Sequence, residues 1–410
     1  MAPSPLLSVD EALARILASA REPLPAQDVA LEDALGRRLA ADLVARRTQP
    51  PCPVSAMDGY ALRAADIAQA SAQTPVRLKV IGASAAGHGF DGRVNAGEAV
   101  RIFTGAPVPE GADCILIQED AQAGDGVVDA LVSEPEGRYV RRAGLDFSAG
   151  DALLGAGRLL GPAELALAAA MNHPTVRVTR KPRVAVLATG DELVRPGVEP
   201  GRDQIVASNN FAVGAYARLA GADVIDLGIA GDDFPALEAA IRRARDAQAD
   251  VLVTLGGASV GDHDLVQTAL AREGMQLGFW RIALRPGKPL MHGRIGDMRI
   301  LGLPGNPVSA IVCAVLFLAP LVRALTGDAD AGRDPSRPAV LGADLPQNDQ
   351  RQDYLRATIE GDGAGLPIAT PFTRQDSSML GVLARAHGLI VRPPHAPPAK
   401  AGDPCRFVPL

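Results

Sequence analysis

The spacing of apolar residues changes character along the chain, and each change predicts a different element. Ser8-Val-Asp-Glu11 stands ahead of Ala12, Leu13, Ile16 and Leu17, a capping box in front of a helical stripe, so a short amphipathic helix is expected there. Leu31, Ala34, Leu35 and Leu39 predict a second helix from Leu31 to Ala45, before the loop Pro50-Pro-Cys-Pro53. From about Val76 to Val140 the pieces are short and β-rich: residues 76–81, 99–103 and 114–117, parted by glycine turns. Helical character is expected again over 162–172, where Pro162 suits a first turn and Glu164 favours the positive helix N-terminus.

Between Arg183 and Thr326 the periods alternate. Strands are expected over 184–188, 224–228, 251–255 and 299–303, and helices over 210–220, 235–247, 265–272 and 307–325. Alternation of this kind predicts a parallel sheet with helices on both faces. Pro335-Ser-Arg-Pro338 reads as a linker, and the turn-rich remainder as a small β barrel or sandwich. The expected fold class is therefore multidomain α/β and β: a central parallel α/β domain, a discontinuous helical domain, an inserted β domain and a C-terminal β barrel or sandwich. The expected boundaries are 1–52 with 141–178 for the helical domain, 53–140 for the inserted one, 179–328 for α/β and 336–410 for the last.

Composition narrows what such a chain can do. With 410 residues it exceeds the size of a single core. No uninterrupted run of eighteen apolar residues occurs and the N-terminus does not read as a signal peptide, so no membrane partner and a cytoplasmic location are expected. A net charge of −6 and 3% aromatic residues argue against nucleic acid as a partner. Cys52, Cys114, Cys313 and Cys405 form no CxxC pair and are expected to be reduced thiols.

In an open α/β sheet ligands bind beyond the carboxyl ends of the strands. Four loops fall there: Ala188-Thr-Gly-Asp-Glu-Leu193, Gly231-Asp-Asp233, Gly256-Gly-Ala-Ser-Val-Gly-Asp-His-Asp264 and Gly302-Leu-Pro-Gly-Asn-Pro-Val-Ser-Ala310. Their glycines let backbone N–H groups approach a phosphate, while Glu192, Asp232, Asp262 and Asp264 would repel it unless a cation intervened, so phosphate with Mg²⁺ is expected. Asn306 reads as an N-cap and Pro307 as the first helical residue, leaving free N–H groups that favour an anion. Arg281, Arg285 and Lys288 supply further donors. Each loop alone could equally be a tight turn; four on one sheet edge favour a site. Arg285-Pro-Gly-Lys-Pro289 is no Walker A loop, and Asp262-His-Asp264 reads as a loop rather than a transition-metal site.

Six ordered motifs carry a resemblance: Pro53-Val-Ser-Ala-Met-Asp-Gly-Tyr-Ala61, Thr104-Gly-Ala-Pro-Val-Pro-Glu-Gly-Ala-Asp113, Thr189-Gly-Asp-Glu192, Gly256-Gly-Ala-Ser-Val-Gly261, Pro286-Gly-Lys-Pro289 and Leu303-Pro-Gly-Asn-Pro-Val-Ser309. Together they resemble the MoeA family and the gephyrin E domain, from about Ser8 to Leu410. The resemblance implies an elongated homodimer that inserts molybdate into adenylylated molybdopterin with Mg²⁺, releasing AMP and finished molybdenum cofactor. It implies Asp58, Glu192 and Asp264 as the active and cation-holding carboxylates. Thr104, Asp146, Asp232, Gly256, Gly257, Ser259, Asp262, Arg281, Arg285, Lys288, Pro304, Asn306, Pro307, Arg356 and Ser377 would then contact substrate or cofactor. The family usually has lysine at the positions of Arg281 and Arg285, which keep the charge but cannot readily serve as neutral bases. Leu145, where the family often has glutamate, weakens the case for a cation at Asp146. For Arg356 and Ser377 a surface role in the β domain is as good a reading. Asp58 lies outside the α/β sheet, and the resemblance implies that it reaches the partner subunit's site. Molybdopterin adenylyltransferase and apo-molybdoenzymes would be further partners. Competing readings are molybdopterin adenylylation and a non-enzymatic, gephyrin-like scaffold.

Overall fold

A computed structural model describes residues 6–256, 265–361, 363 and 365–410. Its centre is a six-stranded sheet in the spatial order Asp223–Ala230, Arg183–Thr189, Val251–Leu255, Met298–Leu303, Met291–Ile295, Gln276–Trp280. Neighbours in the first four are parallel. Met291–Ile295 runs against both of its neighbours, so the sheet is mixed rather than wholly parallel. Both extra strands come from a stretch in which the sequence predicts no element; Gly293 permits their pairing, since a Cβ there would lie 2.7 Å from the Gln276 carbonyl oxygen. The chain starts at Arg183–Thr189 and adds one strand on each side of it, which places a topological switch between the carboxyl ends of Arg183–Thr189 and Val251–Leu255.

The core strands are mostly apolar. All five residues of Val251–Leu255 are buried, as are the last six of Arg183–Thr189. Such strands bury both faces, and each Val or Leu so removed from water contributes roughly 1.5–3 kcal/mol. The 19-residue stretch Pro307–Leu325 contains an 18-residue window of mean hydropathy 2.3, long and apolar enough for a membrane span, yet it lies mostly buried in the core. Helices Val9–Ala18 and Asn209–Leu219 pack against it. It widens into a π turn at Ala314–Leu318, just before Pro320. That proline has no N–H to offer Leu316, and the wider turn relieves the clash.

The N-terminal portion holds less helix than its periodicity predicts. Helix Val9–Ala18 is present, with Ser8 Oγ accepting from Glu11 N at 3.2 Å. The reciprocal half of the capping box is replaced by a 2.5 Å bond from Arg15 Nη2 to Glu11. The helix expected over 31–45 shrinks to a single 3-10 turn, Leu31–Asp33. Gly36 breaks it at φ +71°, a left-handed conformation suited to glycine, and its N–H goes to Leu160 O at 2.8 Å. Leu39, Leu43 and Ala45 then alternate inward toward Leu154, Leu160 and Val178.

Residues 59–130 form a second six-stranded sheet: Cys114–Ile117, Gly59–Leu62, Glu98–Ile102, Val76–Ser84, Val127–Ala130 and Ala121–Ala123 in spatial order. At the C-terminus, Gln352–Glu360, Ile368–Pro371, Arg337–Leu341, Pro404–Pro409 and Gly388–Arg392 pair in that order, and the last pairs back to the first, closing a β-barrel. Leu284–Arg285, from the α/β region, adds to the barrel strand Gln352–Glu360 in parallel.

Candidate functional site

A cleft of about 1060 Å³ opens at the switch point. Thr189 and Gly256 form its floor at the ends of two neighbouring strands. Gly256 has φ +99°, and a Cβ there would sit 2.7 Å from Thr189 O, so the two strand ends meet this closely only through glycine. Thr189 Oγ1 donates to Leu255 O at 3.3 Å, tying the same two ends together.

Glu192 and Asp232 line this cleft from adjacent loops. Both are exposed, and neither carboxylate has a hydrogen-bond partner among the described residues. Asp191 steadies their loops by accepting from Asp232 N at 3.0 Å. Among the described residues no three His, Cys, Asp or Glu side chains gather as a metal cluster. Gly257, Ser259, Asp262 and Asp264 lie outside the described residues. The donor set on this edge is nevertheless all-oxygen and acidic, which suits Mg²⁺ better than a transition metal.

The same cleft carries cations. Arg285 and Lys288 both line the cleft. Lys288 is exposed and has no ion-pair partner among the described residues. Arg285 is already committed: Nη1 donates to Asp349 at 3.1 Å, and Nη2 to Asn348 at 3.0 Å and to Asp353. The Asp353 bond raises the pKa of Arg285 further, while burial pushes the Asp353 carboxyl up despite that arginine. Arg281 is not part of the cleft wall. It stacks 4.2 Å over Trp280 at φ +80°, and its buried Nε has no partner among the described residues.

Pro304, Asn306 and Pro307 also line the cleft. Helix Pro307–Cys313 begins where expected, but the Asn306 side chain does not cap it. Instead Asn306 Nδ2 donates to Ser377 Oγ at 3.1 Å, and Val308 N gives its proton to Ser377 O at 3.0 Å. One of the N–H groups expected to be free for an anion is thus taken by the barrel. Ser377 itself lines the cleft, together with Arg351, Gln375 and Ser378. The sequence alone does not single out those last three. No strand-end or glycine signal marks them, because the barrel brings them in from a remote stretch.

Arg356 is neither a surface residue nor a cleft residue. It is 1% exposed, accompanied by neutral acceptors: N and Nε donate to Gln375 Oε1 at 3.0 and 3.2 Å, and Nη1 to Met379 O at 3.3 Å. Burial lowers its pKa. Its role in the fold is to brace Gln375, which does line the cleft.

Asp58, Thr104 and Asp146 do not line the cleft; they belong to the N-terminal third of the chain. Asp58 precedes strand Gly59–Leu62, whose glycine abuts the Leu116 carbonyl so closely that any Cβ would collide with it. Thr104 donates to Asp58 Oδ1 twice, from N at 2.7 Å and from Oγ1 at 2.9 Å. Those bonds, the backbone one first, hold the Asp58 carboxyl below the usual carboxylate range. Arg101 stands beside the pair, 5.1 Å from the Tyr60 ring and 5.0 Å from the Phe103 ring, donating to Gly59 O at 3.0 Å. Asp146 is exposed, its loop fixed by a 3.0 Å bond from its N to Gln49 O.

Known proteins share this arrangement. Residues 7–172 match the MoeA N-terminal region (domains I and II), residues 185–324 a probable molybdopterin-binding domain, and residues 338–410 the MoeA C-terminal region (domain IV). The chain is 35% identical to the molybdopterin molybdenumtransferase of Haemophilus influenzae over 352 residues, covering 86% of this chain and 85% of that one. It is 35% identical to that of Bacillus subtilis over 393 residues, or 94% and 90%. Among solved structures, the molybdopterin biosynthesis MoeA protein of Pyrococcus horikoshii superposes with a TM-score of 0.84 at 31% identity, covering 99% of both chains.

Proposed function

Because this chain belongs to the MoeA family of molybdopterin molybdenumtransferases, enzymes of molybdenum cofactor biosynthesis, we propose that its cleft inserts molybdate into adenylylated molybdopterin and releases AMP. The observation that carries this reading is the meeting, in one cavity, of two exposed carboxylates, Glu192 and Asp232, with the exposed cation Lys288 and the barrel residue Ser377. Acidic and basic groups lining one cleft suit a substrate that presents both a pyrophosphate and an oxyanion.

Glu192 and Asp232 would hold Mg²⁺; when bound, the ion screens the anhydride from these carboxylates and polarises it as a Lewis acid. Lys288 would bind an anionic oxygen of phosphate or molybdate as a point charge, and Arg285 one in the plane of its fork. Gly256 leaves room for the substrate to approach the strand ends. Asp58 would complete the site from a second copy of the chain, making a homodimer the working unit.

Purified protein, adenylylated molybdopterin, molybdate and Mg²⁺ should yield AMP and a cofactor that reconstitutes an apo-molybdoenzyme. Absence of AMP release under these conditions would sink the reading. Formation of adenylylated product from ATP and molybdopterin would move the chain to the preceding reaction instead.

A further inference from the structure

Arg351 lies beside Arg285 on the barrel wall of the cleft, and one carboxylate serves both. Asp349 Oδ2 accepts from Arg285 Nη1 at 3.1 Å and from Arg351 Nη2 at 2.7 Å, while its Oδ1 accepts from Arg351 N at 2.8 Å. The backbone of Asp349 is pinned separately, its carbonyl accepting from His395 N at 2.7 Å. Asp353 differs from it: its side chain is 5% exposed against 42% for Asp349, and Arg285 is its one ion-pair partner among the described residues. Asp353 is therefore the fixed counter-ion of Arg285, and Asp349 the removable one. A carboxylate across two guanidinium groups uses the donors that a tetrahedral oxyanion would use.

We propose that Asp349 is a specificity-determining residue that acts as an internal competitor for the cleft's anion donors. It keeps Arg285 and Arg351 from weakly held monovalent anions and yields them to an oxyanion dianion. The proposal rests on reading the cleft as the oxyanion site. Two features of the structure favour it. The Asp349 side chain is 42% exposed, so water can replace the bonds it gives up, and Lys288, which lines the same cleft as Arg285 and Arg351, has no ion-pair partner among the described residues and can begin the exchange. A dianion gains twice the attraction of a monoanion at the same distance, so the same displacement cost excludes chloride far more effectively than molybdate.

The test is direct binding of sodium molybdate to the full-length protein, by titration calorimetry at two chloride concentrations. Asp349→Asn preserves shape and removes the competing charge. It should tighten molybdate about tenfold at low chloride, equivalent to about 1.4 kcal/mol, and make that affinity fall as chloride rises. Asp349→Glu keeps the charge and should return both properties to the wild-type values, which a purely structural role for the side chain would not produce. Unchanged or weaker molybdate binding in Asp349→Asn, with Lys288→Ala still weakening it, overturns the competitor and leaves the cleft reading intact. If Lys288→Ala leaves molybdate binding untouched, the cleft reading fails and takes the competitor with it.

Discussion

The Asp58 corner of the β domain and the Glu192 edge of the cleft both present a carboxylate, but in opposite states. Asp58 is locked before any ligand arrives: Thr104 supplies two hydrogen bonds to one oxygen, and the strand behind it tolerates no side chain at Gly59. Among the described residues, Glu192 and Asp232 are held only through their backbones, with side chains open to solvent. A locked carboxylate reads position, since its ordering cost is met during folding. An unlocked one adapts, and becomes ordered when a cation draws it in. In the proposed reading, the difference would separate a group that orients substrate from groups that gather around a metal.

The most damaging way to break this contrast is to remove either side. Asp58→Ala and Glu192→Ala should each lower AMP release by about a hundredfold or more while leaving the fold intact. Mixing the two inactive variants should restore about a quarter of wild-type activity if each site draws on two copies, because half the dimers then carry one complete site. No recovery on mixing would confine each site to a single chain.

A smaller effect is expected on stability. Gly59→Ala drives a methyl into the Leu116 carbonyl and should cost about 3 kcal/mol in denaturant unfolding, with loss of the Asp58 geometry. On the cleft side, Arg285→Met strands Asp353, whose Oδ1 already lacks a partner among the described residues, and should cost about 2–3 kcal/mol. The double variant Arg285→Met with Asp353→Leu should recover most of that loss; failure to do so would show that the pair is not what anchors the wall.

The finest adjustment is Thr104→Val. It deletes the side-chain hydrogen bond but keeps the backbone one, so the pKa of Asp58 should rise toward its ordinary value. Asp58 would then protonate earlier on acidification, and the acid limb of the pH–rate profile should move to higher pH. The same limb should stay in place in an Asp232→Asn variant if only the locked carboxylate governs it.

The sequence is legible where local chemistry decides. The strand 251–255 and the start of helix 307–313 follow from apolar runs and from Pro307, whereas the alternation gives a parallel sheet but not the strand order that sets the switch point. Where expectation and structure part, the causes are physical. Leu31 to Ala45 mimics a helix because its spacing suits both periods, and Gly36 decides against it. Gln276–Trp280 and Met291–Ile295 carry no predicted element: the first pairs across an intervening stretch, and the second forms a tight hairpin with Met298–Leu303 whose Gly296-Asp297 turn goes unread in the sequence. Arg351, Gln375 and Ser378 escape notice for a related reason: barrel closure brings them to the cleft, and closure leaves no local mark. Arg356 stands out by its motif, but a motif does not reveal that the side chain points inward.

The strand Leu284–Arg285 belongs to two architectures at once, running out of the α/β region and pairing along the barrel. Modularity ends there. A chain truncated at the 328–336 linker would strip Arg285 of Asn348, Asp349 and Asp353 together, and would leave a bare strand edge where the barrel had been. The C-terminal barrel is thus not an appendage that can be exchanged between relatives by splicing at the linker. Any chimera that respects the cleft must carry the junction upstream of Leu284, so that the two regions are inherited as one unit.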